Sequence, residues 1–322
     1  MGADLTGTVY APPRAGSPWR LADAVGHERL RVYSLARWAL ADAVRLLGAK
    51  RVLVPVFICR EVLAGVRAGG AEPVLYPVGR DLKPGALPDG DAALAVNYFG
   101  FPQELEAFAG LPVIEDNAHG LFSRGLGTRT ALGVFSQRKT VPLADGGALA
   151  VNDESLWTKA PPQLPAAESP RPELAFLRRR RALRAVSPLL GARGTLAAIR
   201  AIRRLKPEPA ASNPDAERLM PFGPEPSTEA LAPIDAVDAA AEVARRRELY
   251  ALCARALRGF EPVFPALPEG CCPYGYPFRA RGDEAEARLA ELGLSSLPWP
   301  DLPEGAEAPG YLRDVRLVHF LW

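Results

Sequence analysis

The sequence predicts an α/β fold built on a mostly parallel sheet, with a smaller domain after it. Three observations carry that expectation. Between residues 34 and 152, short apolar runs alternate with helical stretches, which implies parallel strands covered on both faces. Asp116 and Ser136 fall at the carboxyl ends of two such runs, where open parallel sheets bind their ligands. The length of 322 residues and the balance of 48% apolar to 24% charged residues suit a globular chain of two modest domains.

Residues 35–48 read as a helix of alanine, leucine and arginine stopped at Gly48, and residues 51–55 as a short buried strand. Residues 59–68 keep helical spacing until Gly69-Gly70, and further strands follow at 73–76, 92–96, 112–116, 132–136 and 147–151. The proline-rich stretches 161–172 and 207–226 are connections. Between them lies a basic helical segment broken near Pro188 and at Gly191–Gly194. Residues 228–257 are alanine-rich and uninterrupted after Pro233, which predicts one long helix leading into the second domain. Residues 260–322 are turn-rich, with apolar pieces at 276–279 and 315–318. The expected organisation is an N-terminal arm over 1–27, a large domain over 28–226 and a small α+β domain over 227–322.

Composition excludes several classes. Proline and glycine, 33 and 29 residues, stay below a low-complexity content. No apolar stretch approaches the ~18–20 residues of a membrane span. The first twenty residues hold no apolar signal core, so a cytoplasmic protein with reduced thiols is expected. Met1 to Thr6 satisfy a permissive myristoylation pattern. Cys59, Cys253, Cys271 and Cys272 match no zinc spacing, and His27, His119 and His319 are scattered, so no metal is expected. Residues 171–206 carry ten arginines and Lys206 against Glu173, a local net charge of +10 within a chain of net charge +2. One patch does not make a nucleic-acid binder. It reads as a solvated helical face, or as a docking surface for anions such as a nucleotide diphosphate or acidic lipid.

The chemistry gathers at three strand ends: Glu115-Asp116-Asn117-Ala118-His119, Ser136-Gln137-Arg138-Lys139 and Asp145-Gly146-Gly147. A carboxylate, a hydroxyl and a lone lysine converge there, and a desolvated lysine is a nucleophile for carbonyls. A Schiff-base lysine with an acid for a pyridinium nitrogen is how proteins hold pyridoxal phosphate.

At these residues the chain resembles the DegT/StrS-type sugar aminotransferases, pyridoxal-phosphate enzymes of fold type I. Arg37-x-Ala39-Leu40 resembles the family's phosphate-holding helix start. Val54-Pro55, Gly70-Ala71-Glu72-Pro73, the segment from Val96 to Pro102, Ile114-Glu115-Asp116, and Lys139 ahead of Gly146-Gly147 match its other motifs in order. The resemblance covers residues 30–155 well and 228–322 in outline.

It implies that Lys139 joins the cofactor as a Schiff base and Asp116 pairs with the pyridine nitrogen. His119 stands where the family has glutamine, beside the phenolic oxygen. Ser136 and the backbone amides near Arg37 and Trp38 would bind the phosphate, the latter at a helix N-terminus. The implied reaction moves an amino group from a donor such as glutamate to a keto-sugar, in a homodimer with sites at the interface. The departures are an interval of three residues from Ser136 to Lys139 where five is common, Asn97 in place of histidine, and Cys59 in place of a stacking aromatic. Two other readings remain open. One is another pyridoxal-phosphate reaction such as sugar dehydration, which the resemblance would pair with histidine rather than Lys139. The other is a non-catalytic relative serving as a binding or regulatory module.

Overall fold

A computed structural model describes residues 9–10, 13–169, 171–205 and 214–320. The myristoylation pattern at Met1 to Thr6, and Lys206 of the basic stretch, lie outside the described residues. A seven-stranded sheet comprises β1 (Leu30–Tyr33), β2 (Arg51–Pro55), β3 (Glu72–Tyr76), β4 (Ala92–Val96), β5 (Val113–Asn117), β6 (Leu132–Phe135) and β7 (Gly147–Val151). Their order is β1-β7-β6-β5-β4-β2-β3. Strands β2 to β6 run parallel, while β7 is antiparallel to β6 and β1 is antiparallel to β7. The sequence reading lacked β1, an edge strand whose Arg31 interrupts the apolar run.

Both faces of the sheet are covered, as short continuous apolar runs require. Leu149 and Val151 of β7 enter one core and Ala148 and Ala150 the other. Helix α1 (Leu21–Val25) buries Leu21 and Val25 against the second core. Helices α2 (Ala36–Leu47) and α3 (Glu61–Ala68) pack on the first, with Ala39, Leu40, Ala43 and Val44 buried along one stripe of α2. The short α4 (Glu154–Trp157) follows β7 under an Asp153 cap.

The basic segment is helix α5 (Arg171–Leu205), helical throughout except at Gly191, whose φ of 67° and ψ of 170° interrupt it. Pro188 does not break it. Proline lacks the N–H that the Arg184 carbonyl would accept, and the Ser187 hydroxyl donates to that oxygen instead at 2.9 Å.

The long helix expected over 228–257 is two helices, α6 (Thr228–Leu231) and α7 (Ala239–Ala256). Ile234 between them pairs with Trp19, and Ile234 and Val237 bury in the second core. Asp238 then caps α7 by accepting from the Ala241 amide. Tertiary pairing overrides the alanine-rich propensity. Beyond α7 an antiparallel sheet runs β10-β11-β9-β8, from β8 (Glu261–Pro262), β9 (Gly275–Arg279), β10 (Leu297–Pro298) and β11 (Val315–His319), with α8 (Glu284–Glu291) and α9 (Gly310–Arg313). Among the described residues no helix is long and apolar enough to cross a membrane.

Candidate active site

The carboxyl ends of β4, β5 and β6, the segment after β2 and the start of α2 enclose a cavity of about 310 Å³, which residues 299–301 close from the second sheet. Arg37, Asp116, His119, Ser136 and Lys139 all line it. Register explains the convergence: Asp116 is level with Val96 on one side and Val134 on the other, so three parallel strands end together.

Lys139 closes a single turn of 3-10 helix, Gln137–Lys139, directly after β6. The short interval from Ser136 is therefore one turn, held by the Thr140 amide on the Gln137 carbonyl at 2.9 Å. Lys139 Nζ lies 3.2 Å from His119 Nε2. Burial holds the His119 imidazole well below its ordinary pKa, and the Lys139 charge adds to the effect. A neutral ring with its proton on Nδ1 accepts at Nε2 from the lysine nitrogen. The ring itself is clamped, stacked on Tyr274 at 4.1 Å and parallel to Phe99 at 5.8 Å.

Asp116 is buried, and its Oδ1 accepts from the Ala118 amide at 2.8 Å. Burial raises its carboxyl above the usual range, opposed by that amide and by Lys139. Ser136, 3% exposed, turns to the same cavity. Burial pushes the Cys59 thiol up to about 12, so it lines the site as a neutral group.

The N-terminus of α2 also borders the cavity. Its N-cap, Leu35, has no side-chain bond to offer, and the Trp38 amide donates to the Leu35 carbonyl at 3.1 Å. The Ala36 and Arg37 amides have no acceptor among the described residues. Arg37's guanidinium lines the cavity without a partner among the described residues, and burial lowers its pKa, offset in part by Glu61. Trp38 is elsewhere, packing into the first core with Nε1 on the Phe222 carbonyl at 2.9 Å.

Gly146-Gly147 permits this arrangement. Gly146 has a φ of 119°, which L side chains rarely adopt, and donates to the Ser34 carbonyl at 2.7 Å. A Cβ on Gly147 would collide with the Ala36 nitrogen. Asp145 is outside the cavity, accepting from the Ser227 hydroxyl at 2.6 Å and its amide at 2.8 Å.

Several contributors are not apparent from the sequence. Asn97 donates to Glu115 at 2.8 Å and accepts from the Gln103 amide at 2.7 Å, tying the ends of β4 and β5. Fully buried Glu115 also accepts from Arg129 Nε at 2.8 Å. Phe99 has a φ of 56°, rare for a bulky residue, and this turns its ring toward His119. Trp299 and Tyr274 arrive from the second sheet and pack on His119, and His319 packs edge-on against both of them. A tryptophan and histidine in a turn-rich stretch were the only local signal for them.

The cavity thus brings together open anion-binding amides, a hydroxyl, a guanidinium, an amine and a buried carboxylate. That donor set fits a phosphorylated pyridine aldehyde.

No protein-family model matches the chain, and no curated protein sequence matches it. Solved structures do. The DegT DnrJ EryC1 StrS aminotransferase from Brucella abortus is 18% identical, with 100% of this chain and 86% of that one covered at a TM-score of 0.56. The sugar aminotransferase CalS13 from Micromonospora echinospora is 17% identical, with 100% and 93% covered at 0.58. Helicobacter pylori PseC, an aminotransferase involved in the biosynthesis of pseudoaminic acid, is 15% identical, with 93% and 84% covered at 0.56. The chain has the fold of these proteins, fold type I.

Proposed function

For a chain folded as the sugar aminotransferases are, we propose a pyridoxal 5'-phosphate-dependent aminotransferase that moves an amino group from a donor such as glutamate to a keto-sugar. The observation that carries this reading is Lys139 Nζ held 3.2 Å from a neutral His119 in the cavity that Asp116 also lines.

The cofactor's aldehyde carbon would be held by Lys139, its ring nitrogen by Asp116, its phenolic oxygen by His119, and its phosphate by Ser136 with the amides of Ala36 and Arg37. When bound, the group supplies an electron sink for charge developing at the substrate's amino-bearing carbon. Asp116, desolvated in the structure, holds a proton on a facing nitrogen more tightly than a solvated carboxylate does. Once the donor's amine displaced it from the aldehyde carbon, Lys139 Nζ would be free to take the proton from the donor's amino-bearing carbon as a base and deliver it to the cofactor's aldehyde carbon as an acid. His119 orients that amine by accepting at Nε2, and the aromatic clamp keeps its ring from turning. Trp299 and Pro300 keep water from the reacting face. A homodimer belongs to the same reading and rests on the resemblance alone. Lys139 itself favours amino transfer over dehydration.

The test is an absorbance spectrum of purified protein with added pyridoxal phosphate, before and after glutamate, beside Lys139→Ala. Wild type should show a yellow band that glutamate bleaches, and the variant should show neither. A wild type without the band overturns the catalytic reading, and a band that glutamate leaves intact overturns the donor.

A further inference from the structure

Up to its interruption at Gly191, helix α5 buries Leu177, Arg184 and Ser187, and beyond it Ala192, Thr195 and Leu196. Its outward line is Ala182, Ala185, Val186 and Leu189, all exposed and spaced i, i+3, i+4, i+7 as the core face of a helix usually is. Of seven exposed large apolar side chains among the described residues, five lie on this helix: Phe176, Val186, Leu189, Leu190 and Ile202, with Leu189 at 87%. Single exposed leucines need no explanation, but a cluster marks a contact surface.

Charge is distributed along the same face. Arg178 and Arg179 are exposed two turns before Val186, and neither has an ion-pair partner among the described residues. Glu168 and Glu229 line a groove beside Arg178 without pairing with it. The helix's own acid, Glu173, is occupied by Arg138 at 3.0 Å. A face that is both cationic and apolar needs an occupant offering anions and hydrocarbon together.

We propose that this face docks on an anionic lipid bilayer. The arginines lie at the headgroups, and Val186, Leu189 and Leu190 reach the acyl boundary in the manner of an interfacial helix. A second copy of the chain is a poorer occupant, because a two-fold contact would set these arginines against themselves. Nucleic acid would satisfy the arginines and leave the aliphatic line in water.

The experiment is co-sedimentation of the full chain with vesicles of phosphatidylcholine, with and without phosphatidylglycerol. Wild type should sediment with the anionic vesicles only. Each arginine near an anionic surface is worth about five-fold in partition, so R178Q/R179Q should weaken binding about 25-fold. L189D/L190D should abolish it with an unchanged melting curve, and L189A should weaken it without adding charge. Three results overturn the proposal. One is absence of binding, or equal binding to neutral vesicles. Another is a protein that ignores vesicles and halves its mass in light scattering when L189D/L190D is introduced, which assigns the face to a second copy. The last is salt-sensitive retention on single-stranded RNA by a protein that ignores vesicles, which assigns it to nucleic acid.

Discussion

His119 and His319 are imidazoles kept neutral by burial. Burial pushes His319 down to about 3, with the charges of Lys139, Arg180 and Arg246 adding to the effect. Its Nε2 is sealed from solvent without a hydrogen-bond partner, while Tyr274 and Trp299 approach its ring edge-on. An unfolded histidine takes its proton near pH 6.5. Between that pH and about 3 the unfolded chain binds a proton that the folded one refuses, so stability falls as pH falls through this window. The raised carboxyl of Asp116 acts in the opposite sense, which makes comparison with a variant necessary. His319→Phe keeps the aromatic shape and removes the titration. Its unfolding free energy, followed by urea titration at stepped pH, should drop less than wild type's from pH 6.5 toward 3, by roughly 3 kcal/mol. Parallel curves would show that His319 does not resist protonation. The residues legible in the sequence were those at the ends of consecutive strands, Asp116, Ser136 and Lys139, because parallel topology brings such ends together. Tyr274, Trp299 and His319 join them through packing between distant segments, which no local periodicity records.

The short apolar strands β2, β4, β6 and β7 were readable because a strand buried on both faces must be apolar along its length. Other boundaries were set by partners outside the element. Helix α7 begins where Ile234 stops pairing with Trp19 and Asp238 supplies a cap. Helix α5 continues through Pro188 because one serine hydroxyl stands in for a missing amide. The start of α2 is the most demanding of these boundaries. It approaches β7 so closely that only glycine fits at position 147. Gly147→Ala must push the open Ala36 and Arg37 amides aside. It should cost about 1–3 kcal/mol in urea unfolding, as overpacking does, and weaken retention of inorganic phosphate and pyridoxal phosphate alike. Unchanged retention of both would remove the helix start from the proposed phosphate site.

At the scale of the whole molecule, the cavity is shared by both sheets and stitched by main-chain bonds. The Tyr274 amide donates to the Phe99 carbonyl at 2.8 Å, and the Arg60 amide to the Asp301 carbonyl at 3.2 Å. Arg60 and Glu217, both nearly buried, add an ion pair at 2.9 Å. The pair of Arg138 with Glu173 has a wider reach. Arg138 is the neighbour of Lys139 and lines the cavity, while Glu173 belongs to the first turn of α5. Whatever rearranges Arg138 at one end therefore acts on the helix at the other, and free energy passed in one direction must pass equally in reverse. Adding pyridoxal phosphate should change the affinity of the protein for anionic vesicles, and Glu173→Gln should abolish that change while leaving vesicle binding itself in place. A wild type whose vesicle affinity ignores the cofactor would make the surface and the site independent. Otherwise the two behave as a thermodynamic conversation, in which the chain reports at its surface what its lysine holds.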